Sequence, residues 1–199
     1  MLFLLFSATI LTIGGLIRLS HIKEKLRKLG IENLQKIARS EQKQQKEQKI
    51  YQQLFQSNEW QQAKVVGLTM ANEIEVATTP IIEKAWEEGK TILVPKTLPE
   101  RQMCFFKIDP DTRFERTAFG VLEPLSDHSF SPDAIDLLIV PGVVYHQNGY
   151  RIGFGGGYYD RYLANYPNQT CSLVFQEQIN NQWVPESFDK KVQHLFIDK

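Results

Sequence analysis

An α/β fold, with a largely parallel sheet covered by helices on both faces, is what this 199-residue sequence predicts. Three observations lead there. Continuous apolar runs such as Val65-Val-Gly-Leu-Thr-Met70, Thr91-Ile-Leu-Val-Pro95 and Asp136-Leu-Leu-Ile-Val140 read as buried strands. Segments of helical spacing separate them, and strands that alternate with helices are joined by crossovers that make neighbours parallel. A composition of 42% hydrophobic and 23% charged residues, at this length, suits one domain with a sizeable core.

Residues 1–17 (MLFLLFSATILTIGGLI) carry no charge and approach the length that spans a bilayer. Positive charge follows the run (Arg18, Lys23, Lys25, Arg27, Lys28) instead of preceding it, unlike a secretory signal. Segment 1–21 is therefore read either as a membrane anchor, with membrane contact through residues 1–17, or as a start called too far upstream. If the segment inserts, the positive-inside bias keeps domain 22–199 in the cytoplasm, so the expected compartment is cytoplasmic in both cases. From Ile22 to about Phe55 a helix is expected, its broken stripe formed by Leu26, Leu29, Ile37, Ile50, Leu54 and Phe55, with interruptions at Gly30 and Ser40.

The Val65–Met70 strand runs into a polar loop, Ala71–Val76, at the strand end where open α/β sheets collect ligands. Thr79-Pro80 supplies a helix start, and Gly89 a stop. Thr91–Pro95 and Met103–Ile108 read as further strands, and Ser126–Pro132 as a linker. Asp136–Val140 leads through Pro141-Gly142 and a turn at Asn148-Gly149 to Arg151. A helix over Tyr158–Asn165, broken by Pro167-Asn168, precedes a strand at Cys171–Phe175.

Net charge is zero, but residues 1–50 hold ten Lys and Arg against four Asp and Glu, leaving thirteen against nineteen. The basic character is local, so no nucleic-acid partner is expected. Cys104 and Cys171 are isolated, which suggests neither a disulfide framework nor a zinc site and fits a reducing compartment. No internal repeat is visible, and a monomer is expected.

The chemistry concentrates in Arg151-Ile-Gly-Phe-Gly-Gly-Gly-Tyr-Tyr-Asp-Arg-Tyr-Leu163. Gly153, Gly155, Gly156 and Gly157 clear side chains from a loop and permit positive φ, so that backbone N–H groups can converge on an anion. Tyr158, Tyr159, Tyr162 and Leu163 resume at helical spacing, so the loop is expected to open into a helix whose amides add to the pull. A P-loop would need Gly-Lys-Ser/Thr where this chain has Tyr-Tyr-Asp. A dinucleotide fingerprint would need Gly at position 158 and a strand ending at the turn, not near Val140. The plain alternative is a glycine-rich turn before a surface helix; the coincidence of glycines, two Arg, two adjacent Tyr and an Asp favours the anion site.

The composite of Asp136-Leu-Leu-Ile-Val-Pro-Gly142, Gly149-Tyr-Arg151 and GFGGGYYDRYL closely resembles the signature of the 5-formyltetrahydrofolate cyclo-ligase, or methenyltetrahydrofolate synthetase, family. The resemblance runs from about Ile22 to the C-terminus and implies a three-layer α/β/α fold. It also implies an ATP- and Mg²⁺-dependent ligase of one-carbon metabolism that converts a reduced folate, 5-formyltetrahydrofolate, to 5,10-methenyltetrahydrofolate, ADP and phosphate. The basic motif Lys23-Glu-Lys-Leu-Arg27 then supplies Lys23 and Arg27 to the ATP phosphates, beside Arg151 and the segment Gly153, Phe154, Gly155, Gly156, Gly157, Tyr158 and Tyr159. Leu68, Glu73, Phe154 and Tyr158 are the implied substrate contacts; two carboxylate oxygens suit the adjacent N–H donors of a pterin edge. Arg151 and Tyr158 take the catalytic roles, and Asp160 with Asp189 holds the metal. The segment Thr117–Pro124 is similar to a pocket wall of the family. Phe188 and Gln193 depart from the pattern, since many relatives carry a polar residue, often His, and an Asp there; as outer-shell groups they would slow turnover. Residues 1–17 and this altered tail leave a second reading open, a catalytically weak, membrane-tethered binder of folate or nucleotide.

Overall fold

The computed structural model describes residues 21–117, 120–126 and 128–199. The expected apolar anchor lies outside them, and among the described residues no helix is long and apolar enough to cross a membrane.

Helix α1 (21–38) runs straight through Gly30, where an interruption was expected, and the chain breaks only at residues 39–42 before α2 (Lys43–Gln56). Gly30 is there for proximity: a Cβ would stand 2.7 Å from a methyl of Val143 and 2.7 Å from one of Val144. Positions 23, 27, 30, 34 and 37 share one helical face. Leu34 and Ile37 bury that face at one end, and the close approach at Gly30 holds it against residues 143 and 144. Lys23 and Arg27 are thereby carried over the segment that follows. Ser57 caps α3 (Asn58–Gln62) by accepting the Trp60 N–H at 3.2 Å.

The remaining elements are β1 (Val65–Gly67), α4 (Thr79–Glu87), β2 (Thr91–Leu98), β3 (Gln102–Ile108), β4 (Phe114–Arg116), β5 (Leu122–Pro124), β6 (Ser129–Phe130), β7 (Leu137–Ile139), β8 (Val144–Tyr145), β9 (Arg151–Ile152), α5 (Tyr158–Leu163), β10 (Gln169–Val174) and β11 (His194–Ile197). Seven strands form the main sheet in the order β11-β10-β7-β1-β2-β3-β6. The first five are mutually parallel, and β3 and β6 extend one edge antiparallel.

Alternate strand residues enter two separate cores, as period-two side-chain direction requires. Val66, Ile92, Val94, Leu137 and Ile139 pack with the helical residues Ile50, Leu54, Trp60 and Ile81 on one face. Leu93, Phe105, Leu138 and Val140 pack with the tyrosines of α5 on the other, where the Phe105 and Tyr162 rings are 5.1 Å apart. Helix, sheet and helix thus make the three layers expected. The hairpins β4–β5 and β8–β9 and the strand β11 were not anticipated; each is only two to four residues long, too short for periodicity to register.

Candidate active site

β2 joins β1 on one side while β7 joins it on the other, so the loops leaving β1 and β7 part at their carboxyl ends. Such divergence opens a crevice in parallel sheets. Here an open cleft is lined by Thr69 and Glu75 after β1, Val140 and Gly142 after β7, Tyr145 of β8, and Leu173 of β10.

The glycine loop reaches this edge on the β8–β9 hairpin, which explains why no long strand runs directly into it. Gly155 (φ 106°) and Gly157 (φ 69°) adopt left-handed conformations that strain any other residue. Arg27 Nε donates to the Gly153 carbonyl at 2.8 Å, and Arg161 Nη1 to the Gly157 carbonyl at 3.0 Å. Two guanidinium groups therefore collar a loop whose tip residue, Phe154, is 49% exposed. α5 has only six residues, so its dipole is small and adds little to whatever pull the loop amides exert on an anion.

The C-terminal tail closes over the loop. Asp160 Oδ1 accepts the Lys190 N–H at 3.0 Å, and Arg151 Nη1 donates to the Lys190 carbonyl at 2.7 Å while lying 3.4 Å from Asp160 Oδ1. Lys23 Nζ donates to Asp189 Oδ2 and to Glu186 Oε2, both at 2.6 Å, and rests 5.2 Å from the centre of the Phe188 ring. Asp160 Oδ2 and Asp189 Oδ1 keep no hydrogen-bond partner among the described residues. No group of three or more His, Cys, Asp or Glu side chains there could hold a metal alone. Two half-engaged carboxylates beside a phosphate-type loop fit Mg²⁺ that arrives with phosphate oxygens.

Two buried hydroxyls, Tyr159 and Tyr162, have no hydrogen-bond partner in the described structure. The Tyr159 hydroxyl feels the charges of Glu75 and Arg151, and burial pushes its pKa up, so it stays protonated. Burial likewise raises the Glu75 carboxyl, against the opposing effects of the Asn72 N–H that it accepts at 2.9 Å and of the Lys43 charge.

The model of the 5-formyltetrahydrofolate cyclo-ligase family matches residues 20–198. The chain belongs to that family. It is 32% identical over 148 residues to the 5-formyltetrahydrofolate cyclo-ligase of Haemophilus influenzae, covering 70% of this chain and 79% of the relative. The probable cyclo-ligase of Caenorhabditis elegans is 29% identical over 178 residues, covering 81% and 85%. The solution structure of Aquifex aeolicus 5,10-methenyltetrahydrofolate synthetase superposes with a TM-score of 0.75 at 27% identity, covering 89% of this chain and 90% of that one. The protein is accordingly an enzyme of the cyclo-ligase family, a ligase of folate one-carbon metabolism.

Set against this family, the expected site residues fall into distinct groups. Lys23, Arg27, Arg151, Asp160, Asp189 and the loop from Gly153 to Tyr159 come together, but with unexpected duties. Arg151 is 4% exposed and braces the tail and Asp160, and Lys23 is engaged by carboxylates. Tyr158 packs its ring against Gly156 and the α5-side core. Leu68 is 0% exposed and stands behind the cleft. The side chain of Glu73 is exposed at the rim, where its carbonyl accepts from Lys43 at 2.9 Å, and Glu75 enters the cleft instead. Gln193 is not an outer-shell group of the carboxylates: its Oε1 accepts the Thr170 N–H at 2.6 Å, at the start of β10. The β4–β5 hairpin lies against β2, where Glu123 accepts from Thr97 at 2.7 and 3.0 Å, and is not part of the cleft lining. Arg161, Glu186 and Glu75 were missed; Arg161 four residues beyond Gly157 was the readable signal, since i and i+4 share a helical face.

Proposed function

We propose that the protein closes 5-formyltetrahydrofolate to 5,10-methenyltetrahydrofolate with ATP and Mg²⁺, releasing ADP and phosphate. The observation that carries this reading is the union, at one sheet edge, of the collared glycine loop, two half-engaged aspartates and the cleft between β1 and β7. The triphosphate lies on the loop amides, with Arg27 and Arg161 beside it. Lys23 exchanges Asp189 for a phosphate oxygen as nucleotide enters. Asp160 and Asp189 hold Mg²⁺, which neutralises phosphate charge when bound.

The folate occupies the cleft, with Glu73 at its rim, Phe154 and Tyr158 against the reacting end, and Leu68 as backing. A formamide oxygen is a poor leaving group, and moving the γ-phosphoryl onto it gives an imidate phosphate that N10 can attack. The protein contributes alignment and charge neutralisation, the usual division in phosphoryl transfer. Arg151 acts through Asp160 and the tail as a positioning residue. Cys104 and Cys171, both unpaired, suit the reducing cytoplasm.

The test incubates the full chain with ATP, Mg²⁺ and 5-formyltetrahydrofolate and follows methenyl absorbance together with ADP and phosphate. Product formation that needs all three components, with one ADP per methenyl group, is expected. Folate or nucleotide binding without product would overturn the reading and favour the weak, tethered binder.

A further inference from the structure

Ring closure has a requirement that loops and phosphate ligands do not meet. N10 is a secondary arylamine, and when its lone pair bonds to the activated formyl carbon, the N–H it carries becomes strongly acidic and has to leave. A proton acceptor is needed beside the cleft. None of the described histidines lines it, and its titratable lining groups are Glu75 and Tyr145. Tyr145 donates its hydroxyl to the Val140 carbonyl at 3.3 Å, and burial keeps it protonated, so it cannot serve.

We infer that the Glu75 carboxylate accepts the N10 proton as the ring closes, an inference that rests on the cyclo-ligase reading above. Glu75 Oε2 is fixed by the Asn72 N–H, and Oε1 has no hydrogen-bond partner among the described residues. The titratable groups that interact with its charge are Lys43 from α2, Tyr145 from β8 and Tyr159 from α5. The Tyr159 hydroxyl, unpartnered and next to the last loop residues, feels the Glu75 charge, so Glu75 stands toward the glycine-loop side of the cleft. A group that lines the cleft proposed for folate, with the glycine-loop tyrosine within reach of its charge, is placed to act where N10, the formyl carbon and the departing phosphate have to meet. The balance is simple. N10 forms its bond to the formyl carbon, the N10–H bond breaks with its electrons staying on nitrogen, and the proton goes to Glu75. The carbon–oxygen bond then breaks with its pair leaving on inorganic phosphate, and N5 and N10 share the positive charge.

Glu75→Gln preserves the bond to Asn72 and removes the base. The expected result is a kcat about 10²–10⁴-fold lower, the usual range for general-base removal, with folate KM within about threefold of wild type, as expected when only a transition-state interaction is lost. Because burial raises the Glu75 pKa, the acid limb of the wild-type kcat profile lies above the ordinary carboxylate range, and it disappears in E75Q. Ionisation of a group with a raised pKa weakens the fold as pH rises through that value, so E75Q melts no lower than wild type at pH 8. Glu75→Asp recovers part of kcat. An E75Q kcat within tenfold of wild type, a loss confined to KM, or a retained acid limb overturns the inference. A wild-type enzyme that makes no methenyl product defeats the proposed function itself, which keeps the two failures apart.

Discussion

At the amino ends of the parallel strands, polar side chains turn back onto backbone; at the carboxyl ends, several reach into open space. Asp136, ahead of β7, accepts the Lys64 and Val65 N–H groups at 2.8 Å each and so ties β7 to β1. Lys90, ahead of β2, donates to the carbonyls of Trp60 and Ala63 at 2.9 Å, and Asn168, ahead of β10, donates to those of Asp133 and Ile135. The opposite edge holds Glu75 with one bonded oxygen, the Tyr159 hydroxyl with no partner, two aspartates with one oxygen each to spare, and Phe188 59% exposed. Buried polar groups are ordinarily satisfied; of the two buried hydroxyls without a partner, Tyr159 lies at this edge, and the free oxygens of Glu75, Asp160 and Asp189 open it further to a ligand. One end of the sheet maintains the fold, and the other is kept ready for chemistry.

The sharpest way to break that contrast is to cut deeply at each end. Trp60 is fully buried, donates Nε1–H to Glu88 at 2.9 Å and lies under Lys90. Trp60→Ala is expected to cost about 3–5 kcal/mol, which lowers the melting temperature by roughly 6–20 °C at this chain length. Activity per folded molecule below that temperature should stay near wild type. Asp160→Asn, at the other end, is expected to reduce kcat by about a hundredfold or more, the scale of losing one ligand that orders transition-state charge, with a fall in melting smaller than that of Trp60→Ala, since the amide still accepts the Lys190 N–H but leaves buried Arg151 without its counter-charge. Calorimetry and steady-state rates on the two variants decide it. Equal effects of both substitutions on both readouts would erase the distinction.

A substitution that couples the two regions sharpens the comparison. Gly30→Ala adds a methyl 2.7 Å from Val143 and Val144 methyls, so α1 has to shift away from the strand layer. Overpacking costs roughly 1–3 kcal/mol, offset by about 1 kcal/mol from the better helix propensity of Ala. Net stability therefore falls by at most about 2 kcal/mol, and Lys23 and Arg27 move with the helix. The expected signature is a several-fold rise in KM for ATP with melting displaced by only a few degrees. A lowered melting temperature with unchanged KM would show that α1 does not set the position of those cations.

Much of this was legible in the sequence, for reasons that particular residues make plain. The buried parallel strands declare themselves by uninterrupted apolar runs such as 136–140, and the loop by glycines that only an anion cradle or a tight turn requires. Strand β11 and the β8–β9 hairpin were hidden because register with a neighbour, not local pattern, makes them strands: Cys171 to Val174 pair with His194 to Ile197. Within the site, the choice between Glu73 and Glu75 was out of reach, because both stand two residues apart in an irregular loop. Asn72 binds Glu75 across a turn, and Glu75 lines the cleft while the Glu73 side chain stays exposed. The duties of Arg151 and Lys23 depend on a tail some thirty-nine and 163 residues away in sequence, which no local reading can connect.

The smallest effect expected is also the most diagnostic, because stability and activity should move in opposite directions. The Tyr159 hydroxyl is buried without a partner, and an unsatisfied buried hydroxyl costs about 1–3 kcal/mol. Tyr159→Phe removes the cost while keeping the ring that lies 5.9 Å from the Arg151 guanidinium. The variant is expected to gain roughly 1 kcal/mol, or about 2–4 °C in melting. If the hydroxyl is held open for folate or phosphate, the same change should lower kcat/KM by about 3–10-fold, the worth of one neutral hydrogen bond. Melting curves taken with and without bound substrate add a further check, since ligand should narrow the difference between wild type and variant by filling the vacant partner position. A variant less stable than wild type in the free state would mean that the hydroxyl is already satisfied, and the carboxyl edge would then be as closed as the amino edge.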